Sequence, residues 1–137
     1  MSGELPPFVL DSFALIAYFC AEPGGEIVKE LLEKALNLEL DLHLSIINLG
    51  EMYYILYKTR GKDFADSAVE DTNNLPIQVI SITDSQVWDA AEIKAHFSIS
   101  YADAFAASLA QSLNASIVTG DPEFNNIING PNIIWIN

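Results

Sequence analysis

Four acids in this chain stand where a carboxylate can do chemistry. Asp103 falls in the first turn of a helix read from Ala102, Phe105, Ala106, Leu109, Ala110 and Leu113 at helical spacing. Asp121 follows the apolar run Ser116-Ile-Val-Thr119, a buried strand, and lies in the turn Gly120-Asp121-Pro122. Asp11 follows Phe8-Val-Leu10, a first strand that leads through Asp11-Ser12 into an apolar helix. Glu51 lies inside a third helix, one turn from Ile47 on one side and Ile55 on the other. In open α/β sheets, ligand sites form outside the carboxyl ends of the strands, so these positions can share one crevice.

Each acid also has an ordinary structural explanation. Ser100-x-x-Asp103 fits a capping box, Asp121-Pro122 is common turn chemistry, and Asp11 or Ser12 can cap the first helix. Glu51 is harder to dismiss. A helical Glu with apolar neighbours needs a cation, a proton or a hydrogen-bond partner. Its alternative is a narrow solvent-facing stripe through Asn48, Glu51, Tyr54 and Lys58. Two carboxylates ~5 Å apart at an effective dielectric of about 20 repel by roughly 3 kcal/mol. Acids that converge therefore demand protons or a hard divalent cation. Oxygen ligands without thiolates or paired histidines suit Mg²⁺ or Mn²⁺ rather than zinc.

The elements that must position these acids alternate between strand and helix. After the turn Glu22-Pro-Gly-Gly25, an amphipathic helix runs from Glu26 to Leu38, with Ile27, Val28, Leu31, Leu32, Ala35 and Leu36 inside. Asp41 to Leu44 alternates as a strand, and His43 is expected to face a neighbour or solvent. Ser45 caps a helix to about Arg60, apolar round most of its circumference and so expected to be deeply buried. Lys58-Thr-Arg-Gly-Lys62 ends it, holding half of the chain's 6 basic residues. A helix from Asp63 to Asn73 and a strand from Ile77 to Ile82 follow. Thr83-x-x-Gln86 caps a further helix through Val87, Trp88, Ala91 and Ile93 to about His96. Asn114 is a stop for the helix holding Asp103. Phe124 to Ile128 is expected as one helical turn, and Ile133 to Ile136 as a closing strand. The pattern predicts an α/β domain with a mostly parallel sheet over residues 1–137.

Bulk properties narrow the class. A chain of 137 residues, half of them apolar, makes one folded domain. The apolar runs, such as Phe13 to Ala21, are too short to span a bilayer. Met1 to Pro7 lack the basic segment and apolar core of a signal peptide. One cysteine, Cys20, excludes an intrachain disulfide and is expected to pack as a small core residue in its helix. These features predict a soluble, cytoplasmic protein. A net charge of −13 repels nucleic acid at long range and favours a metal, a small molecule or a basic partner.

The four acids and their order resemble the PIN-domain ribonucleases, and within them the VapC-like toxins of toxin–antitoxin pairs. The resemblance rests on Val9-Leu-Asp11-Ser12, Glu51, Tyr101-Ala-Asp103-Ala-Phe105 and Thr119-Gly-Asp-Pro-Glu-Phe124, and spans nearly the whole chain. It implies a three-layer fold, with Asp11, Glu51, Asp103 and Asp121 as catalytic metal ligands for Mg²⁺ or Mn²⁺. Glu123 stands where many members carry a further Asp, which implies a supplementary ligand or a water-mediated one. Ser12 and Thr119 are implied to orient carboxylates or the scissile phosphate. The activity implied is metal-dependent hydrolysis of RNA phosphodiesters. An antitoxin and a second copy of the chain are the partners implied. Lys58, Arg60 and Lys62 form the basic cluster expected to contact RNA phosphates. The competing class is a PIN-like module that has lost catalysis and binds protein.

Overall fold

The computed structural model describes residues 4–137; Met1 to Gly3, part of the leader reading, lie outside the described residues. Five strands form one parallel sheet in the order β3-β2-β1-β4-β5. They are β1 (Pro7–Leu10), β2 (Asp41–Ser45), β3 (Gln78–Ile80), β4 (Ser116–Thr119) and β5 (Ile133–Trp135). The helices are α1 (Ser12–Phe19), α2 (Gly25–Leu36), α3 (Ile46–Arg60), α4 (Lys62–Asn74), α5 (Asp84–His96) and α6 (Tyr101–Leu113). The sheet grows from β1 through β2 to β3 in one direction, then resumes on the other side with β4 and β5. The reversal lies between β1 and β4, where Leu10 pairs with Val118. That is the switch point at which an open α/β sheet leaves a crevice beyond its strand ends.

Parallel strands have both faces covered, so successive side chains enter two cores. Leu10, Leu42, Leu44 and Val118 point into a core closed by α1, α2, α3 and α4. Val9 and Ile117 point into the other, closed by α5, α6 and Phe124. This gives the expected three layers, with a sheet that is parallel throughout. Leu56 and Met52 are fully buried where α3 meets the first core. Truncating either to Ala removes contacts worth about 2–5 kcal/mol.

Local signals act as the residue chemistry dictates. Asp11 caps α1 by accepting from the Ala14 N–H. Thr83 and Gln86 form the capping box of α5. Asn114 ends α6 in the left-handed conformation, φ 53° and ψ 45°. Gly61, at φ 94°, joins α3 to α4 with no intervening loop. A 3₁₀ helix spans Pro122–Asn126, earlier than the turn expected from Phe124, because Pro122 presets its first position.

Several burial expectations need correction. The helix α3 is not buried all round: Asn48, Leu49, Met52 and Leu56 are buried, while Ile46, Tyr54 and Tyr57 are exposed. An apolar circumference does not distinguish a core face from a face left on the surface. Leu36 is exposed because α2 ends there and the chain turns away. Trp88 is 69% exposed, and Ala90 and Ile93 take the inner face of α5. Cys20 lies just past α1 as its half-buried C-cap rather than inside the helix. His43 is buried, its Nδ1 has no hydrogen-bond partner, and burial lowers its pKa. No described helix is long and apolar enough to cross a membrane.

Candidate metal centre

Two strand ends, two α-helices and a 3₁₀ helix deliver the acids to the crevice. β1 ends in Asp11, which is 1% exposed and lies beneath the site floor. Its Oδ1 accepts from Ala14, and its Oδ2 accepts from the hydroxyl of Thr119 at the end of β4. The same Thr119 oxygen accepts the Asp121 N–H at 2.9 Å. Asp121 Oδ1 accepts the Glu123 N–H at 2.9 Å, and Glu123 Oε1 accepts the Ser100 N–H at 3.0 Å. Ser100 Oγ in turn accepts the Asp103 N–H at 3.1 Å. One relay of hydrogen bonds thus ties β1, β4, the 3₁₀ helix and α6 together.

The relay changes the meaning of Ser100-x-x-Asp103. Half of the capping box is present, but the carboxylate that closes it on the Ser100 N–H belongs to Glu123 rather than Asp103. The Asp103 side chain is therefore free of the cap. It is 3% exposed, and its Oδ2 is buried with no hydrogen-bond partner.

Glu51 reaches the site from the middle of α3. Its Oε1 accepts from the Ser12 hydroxyl at the start of α1. The solvent-stripe alternative fails at Asn48, which is fully buried and donates from Nδ2 to the Ala102 carbonyl at 3.2 Å. That bond docks α3 onto the first turn of α6 and so sets Glu51 beside Asp103. Only the solvent-stripe alternative put Asn48 on a wet face; its spacing of three from Glu51 was the available signal.

Carboxylate oxygens of Asp103, Asp121 and Glu123 lie within 4.8 Å of one another. With Glu51 they line a cleft of about 380 Å³ whose other walls are Ser12, Phe13, Ile16, Ile55 and Ser100. Asp11 stands outside that triad but within electrostatic reach of it. Burial pushes the Asp11 carboxyl up to about 7 against the hydrogen bonds from Thr119 and Ala14 that favour its charge, and Asp121 and Glu51 add to the rise. Asp103 is pushed up to about 9, first by burial, then by a hydrogen bond shared with Asp121 and by the charges of Asp121, Asp11 and Glu51. No basic side chain lines the cleft. The donor set is hard oxygen with an orphaned buried carboxylate atom, which fits a divalent cation of the Mg²⁺ or Mn²⁺ kind.

The expected basic cluster is elsewhere. Lys62 pairs with Asp66 at 2.6 Å, and Arg60 sits over the Phe64 ring at 5.1 Å. Lys58 is exposed on the last turns of α3. None of the three lines the cleft.

The sequence model of the PIN domain matches residues 8–129. The chain belongs to the PIN-domain family. Solved structures agree on the fold. A chain of the DNA-bound VapBC from Salmonella typhimurium superposes with a TM-score of 0.75 at 22% identity, covering 97% of this chain and 100% of that one. VapBC2 from Rickettsia felis, bound to a promoter DNA fragment, gives 0.73 at 21% identity, covering 93% and 97%. VapC20 from Mycobacterium tuberculosis, a toxin that cleaves the sarcin–ricin loop, gives 0.69 at 17% identity, covering 86% and 92%. No curated protein sequence matches the chain. PIN-domain proteins are in general nucleases, and the acid cleft of this chain lies where its sheet places a ligand site.

Proposed function

We propose that this PIN domain is a metal-dependent endoribonuclease that acts as the toxin of a toxin–antitoxin pair. The observation that carries the proposal is the convergence of Glu51, Asp103, Asp121 and Glu123 on one cleft that lacks any basic side chain. Asp103, Asp121 and Glu123 would hold Mg²⁺ or Mn²⁺, with Glu51 at the cleft wall and Asp11 beneath. A divalent cation, when bound, supplies Lewis-acid stabilisation of phosphoryl charge and a more acidic water. Hydrolysis adds water across one phosphodiester: a new P–O bond forms as the bond to the leaving oxygen breaks.

The chain's own residues prepare that step. Ser12 fixes the Glu51 carboxylate, and Thr119 fixes Asp11 while receiving the Asp121 backbone. Both hydroxyls thus serve carboxylate orientation, the first of the two roles the resemblance implied. Glu123 holds the N-terminus of α6, so the acid at its first turn is set by a backbone contact from the 3₁₀ helix. Burial raises the Asp103 carboxyl, so a divalent cation held there would compete with a proton on that side chain. Lys58 is the readiest phosphate contact of the basic cluster, since Lys62 and Arg60 must first leave Asp66 and Phe64.

An antitoxin and a second copy of the chain are the proposed partners. The exposed Ile46, Tyr54 and Tyr57 of α3 and the −13 charge support a protein partner with apolar and basic contacts. Incubation with single-stranded RNA in Mn²⁺, against an EDTA control, tests the enzyme reading. No cleavage under any divalent cation, with no melting shift on Mn²⁺ addition, would leave the protein-binding module as the better account.

A further inference from the structure

We propose that Phe13 is the floor of a nucleobase subsite: a base flanking the cleaved phosphate stacks on its ring inside the acid cleft. The proposal rests on the ribonuclease reading above and names how that site holds its substrate.

Charge leaves a gap that something else must fill. A polyanion approaching this chain meets a net charge of −13 and a cleft with four carboxylates on its walls. One or two divalent cations offset part of that and leave little for long-range attraction. The basic residues are few, and three of the 6 are engaged: Lys62 with Asp66, Arg60 over Phe64, and Lys94 with the Ile99 carbonyl at 2.8 Å. Phosphate contacts alone do not make a strong RNA site here.

The cleft holds a second kind of wall. Opposite in character to the acids, Phe13, Ile16 and Ile55 line the same space. Phe13 is 37% exposed, although Ala14 and Leu15 beside it on α1 are fully buried. It sits two residues after Asp11, so its position relative to the acids is fixed by the cap of α1. Its ring rests on Gly120, one residue before Asp121; a β-carbon built there would collide with the ring. The ring is thus seated on backbone at the end of β4, and the space in front of it belongs to the acid cleft. At about 380 Å³, that space falls within the roughly 300–1,000 Å³ range of small-ligand sites.

A nucleotide carries an anionic phosphate and an apolar base face about one ribose apart, and this cleft presents the matching pair of surfaces. Base stacking on an aromatic ring is indifferent to the protein's net charge and tolerant of sequence. It serves a site that cannot rely on basic residues. The arrangement assigns Phe13 a positioning role, felt in KM rather than in kcat.

The test uses the full chain with Mn²⁺ and single-stranded oligoribonucleotides. Phe13→Ala should raise KM roughly tenfold or more, as loss of one stacked base does, with kcat nearly unchanged. The melting shift on adding Mn²⁺ should match wild type, which shows an intact fold and acid site. Phe13→Tyr should restore KM; Phe13→Leu, apolar but without a π face, should not. An oligonucleotide abasic beside the cleaved bond should weaken wild type as much as Phe13→Ala does, and should not weaken Phe13→Ala further. Wild-type cleavage with an unchanged KM in Phe13→Ala, or full rescue by Leu, overturns the subsite and leaves the ribonuclease reading intact. A wild-type chain that neither binds nor cleaves these RNAs overturns the ribonuclease reading and the subsite with it.

Discussion

Carboxylates meet opposite treatment in two regions of this molecule. At the surface junction of α3 and α4, Asp66 accepts from Lys62 at 2.6 Å and from the Tyr53 hydroxyl at 2.7 Å. Those two donors, Lys62 first, hold its carboxyl below the ordinary range. At the acid site, Asp103 in the cleft and Asp11 beside it are buried with no basic partner among the described residues, and rise to about 9 and about 7, burial first. A scarce cation is thus placed where solvent already screens charge, while the buried acids receive none. The difference teaches that the cleft is not a structural ion-pair network: among the described residues no basic side chain lines it.

The largest effect should follow from removing the acid with the strongest unmet demand. Asp103→Asn leaves the backbone cap on Ser100 and the Glu123 contact in place, so folding survives. RNA cleavage should disappear and the Mn²⁺-induced melting shift should shrink sharply, while the metal-free variant melts at or above wild type. A metal-free variant that melts well below wild type would mean that Asp103 is paired in a way the fold depends on.

Metal addition and pH probe the same contrast. At a concentration of 100 Kd, a cation that binds only the folded state stabilises by about 2.7 kcal/mol, or about 10 °C for a chain of this size. The pH dependence of the metal-free protein has a defined sign. Asp11 and Asp103 keep protons in the folded state that the unfolded chain gives up near 4, so stability falls as pH rises. The loss runs from about pH 4 through 7 for Asp11 and on to 9 for Asp103. Saturating Mn²⁺ should oppose that loss, so the metal-induced shift grows with pH across this window. Melting curves that stay flat from pH 4 to 9 without metal would contradict the buried-acid assignment.

Glu51→Gln should have a smaller effect. Gln keeps an oxygen that can accept from Ser12, so the shape of the wall persists while one charge leaves. Cleavage should fall on the order of 100-fold, Mn²⁺ should bind more weakly, and metal-free stability should equal or slightly exceed wild type. An active variant with an unchanged Mn²⁺ shift would remove Glu51 from the site. The smallest effect belongs to the other region. Lys62→Ala breaks the Asp66 pair, and a pair this exposed should leave the melting temperature within experimental scatter. A large loss of stability there would erase the contrast between the two regions.

How much of this was legible before coordinates depended on whether the signal was local. Asp11 as a cap, Thr83 with Gln86, and Asn114 as a stop each act over a few residues, and the structure agrees. The direction of the strands followed from alternation of helix and strand: a mostly parallel sheet is expected, and the sheet is parallel throughout. What failed was non-local. Ser100-x-x-Asp103 reads as a closed box, yet the closing carboxylate comes from Glu123, on a different element. Asn48 reads as solvent-facing in the alternative for Glu51, and it is fully buried against Ala102 across α3 and α6. The apolar circumference of α3 reads as core, yet Ile46 and Tyr57 face outward. Phe13 reads as one apolar residue among many, because nothing in its neighbours along the chain reveals that Gly120 makes room for its ring.

The bond from Thr119 to Asp11 spans 108 residues of sequence, because the strand that completes the middle of the sheet is made almost last. At roughly 5–20 residues per second, a ribosome needs on the order of 5–20 s to pass from one of these residues to the other. Throughout that interval the growing chain lacks Asp121 and Glu123, and β1 has no complete neighbour on its β4 side. A chain stalled or cut before residue 119 holds only part of the acid set. For an enzyme proposed to cut RNA in the cell that makes it, the order of the strands delays completion of the acid set until synthesis is nearly done.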